Sequence, residues 1–396
     1  MTVSVLSFGC RLNAYESAVM RAQAEEAGLS GTVIVNTCAV TLEAERQARQ
    51  AIRRVAREQP AARVVVTGCA ASLDRERWSR LPGVARVIDN AQKLAPESWG
   101  GTARASADFT GRVRAYVPVQ QGCDHRCTFC IIPFGRGPSA SRPAGDVAAE
   151  VRAMVEAGLK EVVLTGVDLT SYGADLPGRP TLGFLACRIL ELVPDLPRLR
   201  LSSLDPAEID ADLWRLIAEE ERLMPHLHFS LQAGSDLILK RMKRRHSRAT
   251  ALTAIARARA LRPGLAIGAD LIAGFPTETD ALFAETLALV EEAEIPFLHV
   301  FPFSARPGTP AARMPPVAPP LRRERAARLR ASGKAHARRY FSSFLGRDVS
   351  VLVEAGGRGH TREYVPVRLA AVAPAGALLR ARVVGSDEAG LIATRA

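Results

Sequence analysis

Val113-Arg-Ala-Tyr-Val-Pro-Val-Gln120 is an apolar run that leads directly into Gln121-Gly-Cys123-Asp-His-Arg-Cys127-Thr-Phe-Cys130. The run has the length and composition of a buried strand, and the loop after it carries three cysteines in tight spacing. From this point the chain alternates. Strands are expected at 113–120, 160–165, 198–202, 226–231, 265–271 and 296–301, with helical periodicity at 146–157, 181–193, 207–222, 235–261 and 278–292. Such a β/α series predicts a curved parallel sheet, a partial (β/α)6 barrel, with its chemistry gathered at the carboxyl ends of the strands.

Working outward, the first hundred residues alternate in the same way, with strands near 3–8, 32–36 and 63–67 and helices near 14–27 and 42–58. Short right-handed crossovers make these strands parallel, giving an N-terminal open parallel α/β sheet whose first strand reads as buried. Asn13 is placed to cap the first helix, Gly28 to end it, and Pro60 to close the exit from the second. A Gly, Ala and Ser-rich stretch from Gly100 to Gly111 reads as a linker. A proline-rich run from Pro307 to Pro320 then breaks the second rhythm, and 321–339 reads as a helix with eight Lys or Arg opposed only by Glu324. Past Phe341 the pattern turns to short strands and glycine turns, a small C-terminal all-β barrel. The fold class is thus α/β with domains at 1–100, 111–335 and 338–396.

Lys plus Arg exceed Asp plus Glu by 53 to 41, a net charge of +12, which points to a polyanionic partner or to a generally basic, arginine-rich proteome. With 47% hydrophobic residues the chain has material for packed cores, so disordered classes are excluded. The start has no cationic leader or cleavage site, and nowhere do about 18 apolar residues run together. A cytoplasmic protein without a membrane span is expected, its seven cysteines reduced.

Six of those cysteines form two sets. Cys123, Cys127 and Cys130 suit a 4Fe-4S cluster with one iron left open, which the amino and carboxylate groups of S-adenosylmethionine (SAM) can chelate. An electron from the cluster then breaks the sulfonium bond and releases a 5′-deoxyadenosyl radical. The competing structural zinc site requires a fourth ligand, and His125 reaches it only by straining the loop. Cys10, Cys38 and Cys69 lie 28 and 31 residues apart, yet each follows the end of an expected parallel strand: Phe8-Gly9-Cys10, Asn36-Thr37-Cys38 and Thr67-Gly68-Cys69. Adjacent parallel strands end at one edge, so the thiols converge there and predict a second cluster whose open iron can hold sulfur. Gly9 and Gly68 allow close backbone approach. The competing reading is three small buried residues at a sheet edge. Cys187 has no partner by this geometry and is assigned to the core.

Taken together these residues resemble the methylthiotransferase family of radical SAM enzymes, over nearly the full chain. The resemblance implies an N-terminal methylthiotransferase domain, a radical SAM domain and a C-terminal RNA-binding TRAM domain. Gly9 to Ser17, His226 to Asp236, Lys240 to Arg245, Gly268 to Pro276 and Val300 to Pro310 look most like the branch that converts N6-threonylcarbamoyladenosine in tRNA to its 2-methylthio derivative. It implies that both cysteine sets bind 4Fe-4S clusters and that the N-terminal one supplies sulfur. Two SAM molecules serve each product; one methylates sulfur, and the other yields the radical that takes hydrogen from C2 of adenosine 37, next to the anticodon. An aromatic C–H has no proton acidic enough for a side-chain base, which agrees with radical chemistry. The implied partners are the tRNA anticodon stem-loop, an electron donor such as flavodoxin or ferredoxin, and a sulfur source. Phe129 stands where Tyr is frequent, Ala233 where Ser is, and Thr277 where Gly is.

Phe129, between two ligands, is expected beside the cluster. Thr165, Gly166, Ser203, Gln232 and Asp270, at strand ends, are expected SAM contacts or else polar residues that close strands into loops. Arg322 and Arg323 of the basic helix, Lys240, Lys243 and Arg244 beside Arg241 and Arg245, and Arg347 and Arg362 of the barrel are expected to meet phosphates. Phe341, Phe344 and Tyr364 are interleaved with the barrel cations as RNA platforms or as barrel core. Three rivals remain: a methylthiotransferase acting on isopentenyladenosine, one acting on a ribosomal protein aspartate, and a non-enzymatic iron-sulfur RNA-binding scaffold.

Overall fold

The computed structural model describes residues 2–9, 11–102 and 113–396, so Cys10 and most of the Gly100 to Gly111 stretch lie outside the described residues. Contacts divide the chain into two units that do not follow its linear order. The first comprises Met1–Thr110, Gln121–Ala140 and Ser304–Thr309; the second comprises Gly111–Gln120, Ser141–Phe303 and Pro310–Ala396. The cysteine loop therefore packs with the N-terminal sheet.

That sheet has four parallel strands in chain order, Ser4–Ser7, Thr32–Thr37, Arg63–Gly68 and Val84–Val87. Val33, Val35, Val64 and Val66 pack on Ala48, Ile52 and Val55 of helix Leu42–Glu58, whereas Ile34 and Val65 pack with Met20 and Ala24 of helix Arg11–Glu26 and with Trp99. Alternate residues thus feed both faces, as a doubly covered parallel sheet requires. Burial of each such side chain contributes about 1.5–3 kcal/mol. Three expectations change. The first strand is a half-exposed edge, not a buried one, and Val84–Val87 adds a fourth strand. Asn13 does not cap its helix, which begins at Arg11; its amide donates instead to the carbonyls of Phe8 (2.6 Å) and Thr37 (3.2 Å).

In the second unit Arg114–Pro118, Glu161–Thr165 and Arg198–Leu201 form one parallel sheet, and Ser203–Leu204, His226–Gln232, Ala266–Ala273 and Phe297–Pro302 form another. The third expected strand is therefore interrupted at Ser202, whose N–H still donates to Leu164 O at 2.9 Å while the next two residues pair with His228 and Phe229. All six expected strands are present in chain order. Thr181, Asp210, Ser247 and Thr279 cap four of the intervening helices by accepting the N–H three residues on, each stabilising by about 1 kcal/mol. The single helix expected at 235–261 is two, Asp236–Met242 and Arg248–Leu261, because Lys243 turns left-handed (φ 57°) and closes the first. Cys187 is not in the core; it lies half-buried beside the buried stripe of its helix, with Arg215 Nη2 at 3.8 Å from its sulfur.

Helix Pro319–Ser342 leads into a closed five-stranded barrel of Asp348–Val353, Arg358–His360, Pro366–Leu369, Leu378–Asp387 and Gly390–Arg395. Phe341 and Phe344 insert into its core with Val349, Val351, Val367 and Leu391, so they are not RNA platforms. The barrel is joined to the parallel strands through Glu161, which is fully buried and ion-pairs with Arg114, Arg198 and Arg200. Each arginine also reaches the barrel: Arg198 Nη2 donates to Ser350 O (2.9 Å), Arg200 Nη2 to Arg362 O (3.2 Å) and Arg114 Nη1 to Glu354 (3.1 Å). The Tyr364 ring takes the guanidinium groups of Arg200 and Arg114 at 4.6 and 5.0 Å.

Burial pushes the Glu161 carboxyl upward, but Arg200 and Arg114 outweigh it and bring it down to about 2. A depressed carboxyl contributes stability above its ordinary value of 4.5 and loses it as pH falls toward about 2. Glu161→Gln is expected to lower stability by about 3–5 kcal/mol, since it leaves buried arginines without a counter-charge. Urea denaturation at neutral pH measures this, and the stability lost by the parent between pH 4.5 and about 2 should shrink in the variant.

Candidate metal centre and strand-end site

Cys38 follows strand Thr32–Thr37 directly, and Cys69 opens the short helix Cys69–Leu73 directly after strand Arg63–Gly68; both are buried. Register pairs Thr37 with Gly68, which sets the two cysteines at one sheet edge. The Thr37 hydroxyl donates to Thr67 O (2.7 Å) and accepts from Ala71 N–H (3.1 Å), fixing both loops. Cys10 lies outside the described residues. Its neighbour Gly9, at φ +99°, comes so near Cys38 that a Cβ there would sit 2.4 Å from the sulfur. Only glycine fits. The Val40 N–H points to Cys38 Sγ at 3.4 Å, a donor for charged sulfur.

The loop with Cys123, Cys127 and Cys130 belongs to the same unit. Its base closes through Cys123 N–H to Gly137 O (3.1 Å), and Gly122 passes so close to Pro138 O that a Cβ would lie 1.7 Å from it. The three cysteines and Phe129 are half-buried, and Thr128 is buried. Helix Ile132–Arg136 follows and rests on Cys69, where a Cβ on Gly135 would be 3.1 Å from the Cys69 carbonyl.

Glu16 joins these parts. It is fully buried, with Lys93 Nζ at 2.5 Å and Arg136 Nη1 at 2.8 Å, while Arg136 Nη2 donates to Asn13 Oδ1 at 2.9 Å. Burial raises the Glu16 carboxyl, but Lys93 and Arg136 outweigh it and hold it below the usual range. Burial lowers Lys93, and Cys69 is among the groups that act on it electrostatically. The two described N-terminal cysteines, the cysteine loop and the first helix are thus tied through one carboxylate. Sequence reading missed Lys93 and Arg136; no local pattern marks Lys93, and Arg136 stands out only by lying between Gly135 and Gly137.

Of the residues expected at strand ends in the second unit, Thr165 and Gln232 end their strands, whereas Ser203 opens Ser203–Leu204 and Asp270 lies inside Ala266–Ala273. Thr165 is buried and Gly166, Ser203, Gln232 and Asp270 are half-buried, with Gln232 in the left-handed region (φ 66°). Asp270 Oδ1 lies 3.0 Å from His228 Nε2 and 3.2 Å from His299 Nδ1, and Ser203 Oγ is 3.5 Å from Oδ2. Burial raises the Asp270 carboxyl, and the two histidines bring it well below its usual range. Buried Gln120, absent from the sequence reading, receives the N–H groups of Val167 and Asp168 on Oε1, both at 2.9 Å, and shapes the Gly166 loop.

Of the expected phosphate contacts, Lys240, Lys243, Arg323 and Arg347 are exposed. Arg322 is half-buried and donates to Phe303 O (2.7 Å), and Arg362 donates to Glu221 O (2.6 Å). Arg244 is held by Asp205 (2.8 Å) and Ser230 O (2.9 Å).

The family profile described as the radical SAM superfamily matches residues 117–290, and one described as uncharacterized protein family UPF0004 matches residues 2–89. The chain is 46% identical to the threonylcarbamoyladenosine tRNA methylthiotransferase MtaB of Rickettsia prowazekii (strain Madrid E), covering 97% of this chain and 95% of that one. It belongs to the radical SAM methylthiotransferase family. A methylthiotransferase of the same name from Thermotoga maritima is 36% identical over 89% of this chain and 86% of its own. The tRNA-2-methylthio-N(6)-dimethylallyladenosine synthase of Erythrobacter litoralis (strain HTCC2594) is 34% identical over 90% and 87%. Among solved structures, the radical SAM methyltransferase TsrM from Kitasatospora setae aligns with a TM-score of 0.55 at 15% identity, covering 73% of this chain and 68% of that one, a likeness of fold.

Methylthiotransferases of this kind use SAM and 4Fe-4S clusters. The residues present fit them: a loop offering three half-buried thiols, and a glycine-cradled edge with Cys38 and Cys69 beside it. Gly9→Ala is expected to exclude the N-terminal cluster and spare the loop cluster, lowering iron from about eight to about four per chain. Iron and acid-labile sulfide analysis after anaerobic reconstitution checks this; full iron in the variant would refute the cradle.

Proposed function

We propose that this methylthiotransferase acts on tRNA, adding a methylthio group to C2 of N6-threonylcarbamoyladenosine at position 37. The observation that carries this reading is the 46% identity, across nearly both full lengths, to a protein named for that substrate, in a chain that has both cysteine sets. When bound, the clusters and SAM supply the radical that opens the aromatic C–H and the sulfur that replaces it. Cys123, Cys127 and Cys130 would hold the SAM-binding cluster, and Cys10, Cys38 and Cys69 the sulfur-bearing one. Phe129 would shield the first. Thr165, Gly166, Ser203, Gln232 and Asp270 would orient SAM, with His228 and His299 keeping Asp270 ionised.

The domain assignment follows the same reading: 1–100 a methylthiotransferase domain, 111–335 a radical SAM domain and 338–396 a TRAM-like RNA-binding module. Exposed Lys240, Lys243, Arg323 and Arg347 would track phosphates of the anticodon stem-loop. Arg322 and Arg362 contribute with what their backbone bonds leave. An electron donor such as flavodoxin or ferredoxin and a sulfur source would serve the reaction, and the location would be cytoplasmic. No helix among the described residues is long and apolar enough to cross a membrane, in keeping with that location.

Digestion of tRNA from a strain lacking this chain tests the substrate. Loss of 2-methylthio-N6-threonylcarbamoyladenosine is expected; loss of the dimethylallyladenosine derivative instead would overturn the reading. Cys127→Ala should abolish 5′-deoxyadenosine formation, whereas Cys69→Ala should retain it without product. Replacing Lys240, Lys243 and Arg323 by Ala should weaken tRNA binding and flatten its logarithmic salt dependence by about one per lost phosphate contact.

A further inference from the structure

One buried cation in the first unit is only partly used by the fold among the described residues. Arg306, in the segment Ser304–Thr309, is 4% exposed, and its Nε and Nη1 have no hydrogen-bond acceptor among the described residues. Its Nη2 pairs with Glu45, which also holds Arg49 at 3.5 Å. The segment is fixed in place: the Thr309 hydroxyl donates to Arg306 O (2.7 Å), and Leu42 N–H donates to Ser304 Oγ (3.4 Å). Burying guanidinium donors without acceptors is unfavourable unless something anionic occupies the space.

The segment is seated on the start of the helix that follows Cys38, since Ser304 takes the N–H of Leu42 and Arg306 pairs with Glu45, four and seven residues past that cysteine. Lys93, also buried in this unit, differs because its ammonium is engaged with Glu16 at 2.5 Å. A cluster on the N-terminal cysteines is a dense anion, since each thiolate adds a negative charge and an added hydrosulfide adds another. Its sulfurs are acceptors of the size and charge that a forked guanidinium suits.

We propose that Arg306 is an anion-binding residue of the N-terminal cluster, its Nε–H and Nη1–H donating to the sulfur atoms there and holding the hydrosulfide that binds the open iron as an added ligand. This rests on the reading of Cys10, Cys38 and Cys69 as a sulfur-bearing cluster. Arg306 then makes two contributions. It favours binding of anionic sulfur, and it favours reduction of the cluster by offsetting the added electron. Glu45, on the far nitrogen, sets the position of the guanidinium and weakens its charge.

The test uses the full chain with Cys123, Cys127 and Cys130 replaced by Ala, so that only the N-terminal cluster remains. Sodium hydrosulfide affinity and the midpoint potential are read by paramagnetic resonance during anaerobic titration. In this background R306Q should weaken hydrosulfide binding at least tenfold and disfavour one-electron reduction about tenfold, a fall of about 59 mV. R306K keeps the charge and should hold the potential near that of the parent while binding hydrosulfide less well. E45Q should raise the potential, since it removes the opposing charge, and a fall overturns the assignment. If R306Q does not assemble a cluster, R306K decides: weaker hydrosulfide binding at a parental potential supports the proposal, and parental binding overturns it. A cluster in R306Q that binds hydrosulfide and accepts electrons as the parent does overturns the assignment of Arg306 and leaves the function standing. A parent chain with no cluster at these cysteines overturns the function reading itself.

Discussion

Parallel strands joined by right-handed crossovers all end at the same edge of their sheet, and the chemistry of both units depends on that constraint. In the first unit it brings Cys38 and Cys69 together across 31 residues of chain, because Thr37 and Gly68 are register partners. Gly9 brings the loop of the edge strand against the Cys38 sulfur. In the second unit the same constraint puts Thr165 and Gln232 at the ends of their strands, while Ser203 and Asp270 meet within one sheet at 3.5 Å. Neither set requires a long loop to fold back.

Each unit also contains one fully buried carboxylate surrounded by cations. Glu16 gathers Lys93 and Arg136; Glu161 gathers Arg114, Arg198 and Arg200. Ion pairs of this kind contribute little net stability over a well-packed apolar core, because desolvation offsets most of the attraction. What they supply is selection. An apolar contact is satisfied by many neighbours, whereas a buried carboxylate is satisfied only when particular cations arrive, so Glu16 specifies that the helix after Cys130 meets the helix after Gly9.

Much of this was legible in the sequence because it is local. The apolar runs, the helix Leu42–Glu58, the six central strands and the cysteine loop all follow from period and spacing. The failures have physical causes. Lys243 stops a helix by adopting a left-handed conformation that a lysine gives no warning of, and Val84–Val87 is too short and too mixed to register as a strand. Asn13 looked like a cap and is instead a tertiary ligand for two carbonyls. Phe341 and Phe344, set among arginines, could be read as RNA platforms or as barrel core, and they are core because a barrel this small has few other large side chains with which to fill its centre. Contacts such as that between Arg306 and Glu45 join residues 261 positions apart, and nothing in local pattern reports them.

The arginine clamp around Tyr364 has a mechanical meaning. Three guanidinium groups rooted in the parallel strands either grip the barrel backbone or flank its aromatic Tyr364, so the barrel is fastened to the strands at several points. A ligand landing on a barrel fastened in this way spends less of its affinity on fixing the module in place. The barrel would then act as a fixed ruler, and what it grips would be set by its distance from the strand ends and not by its reach.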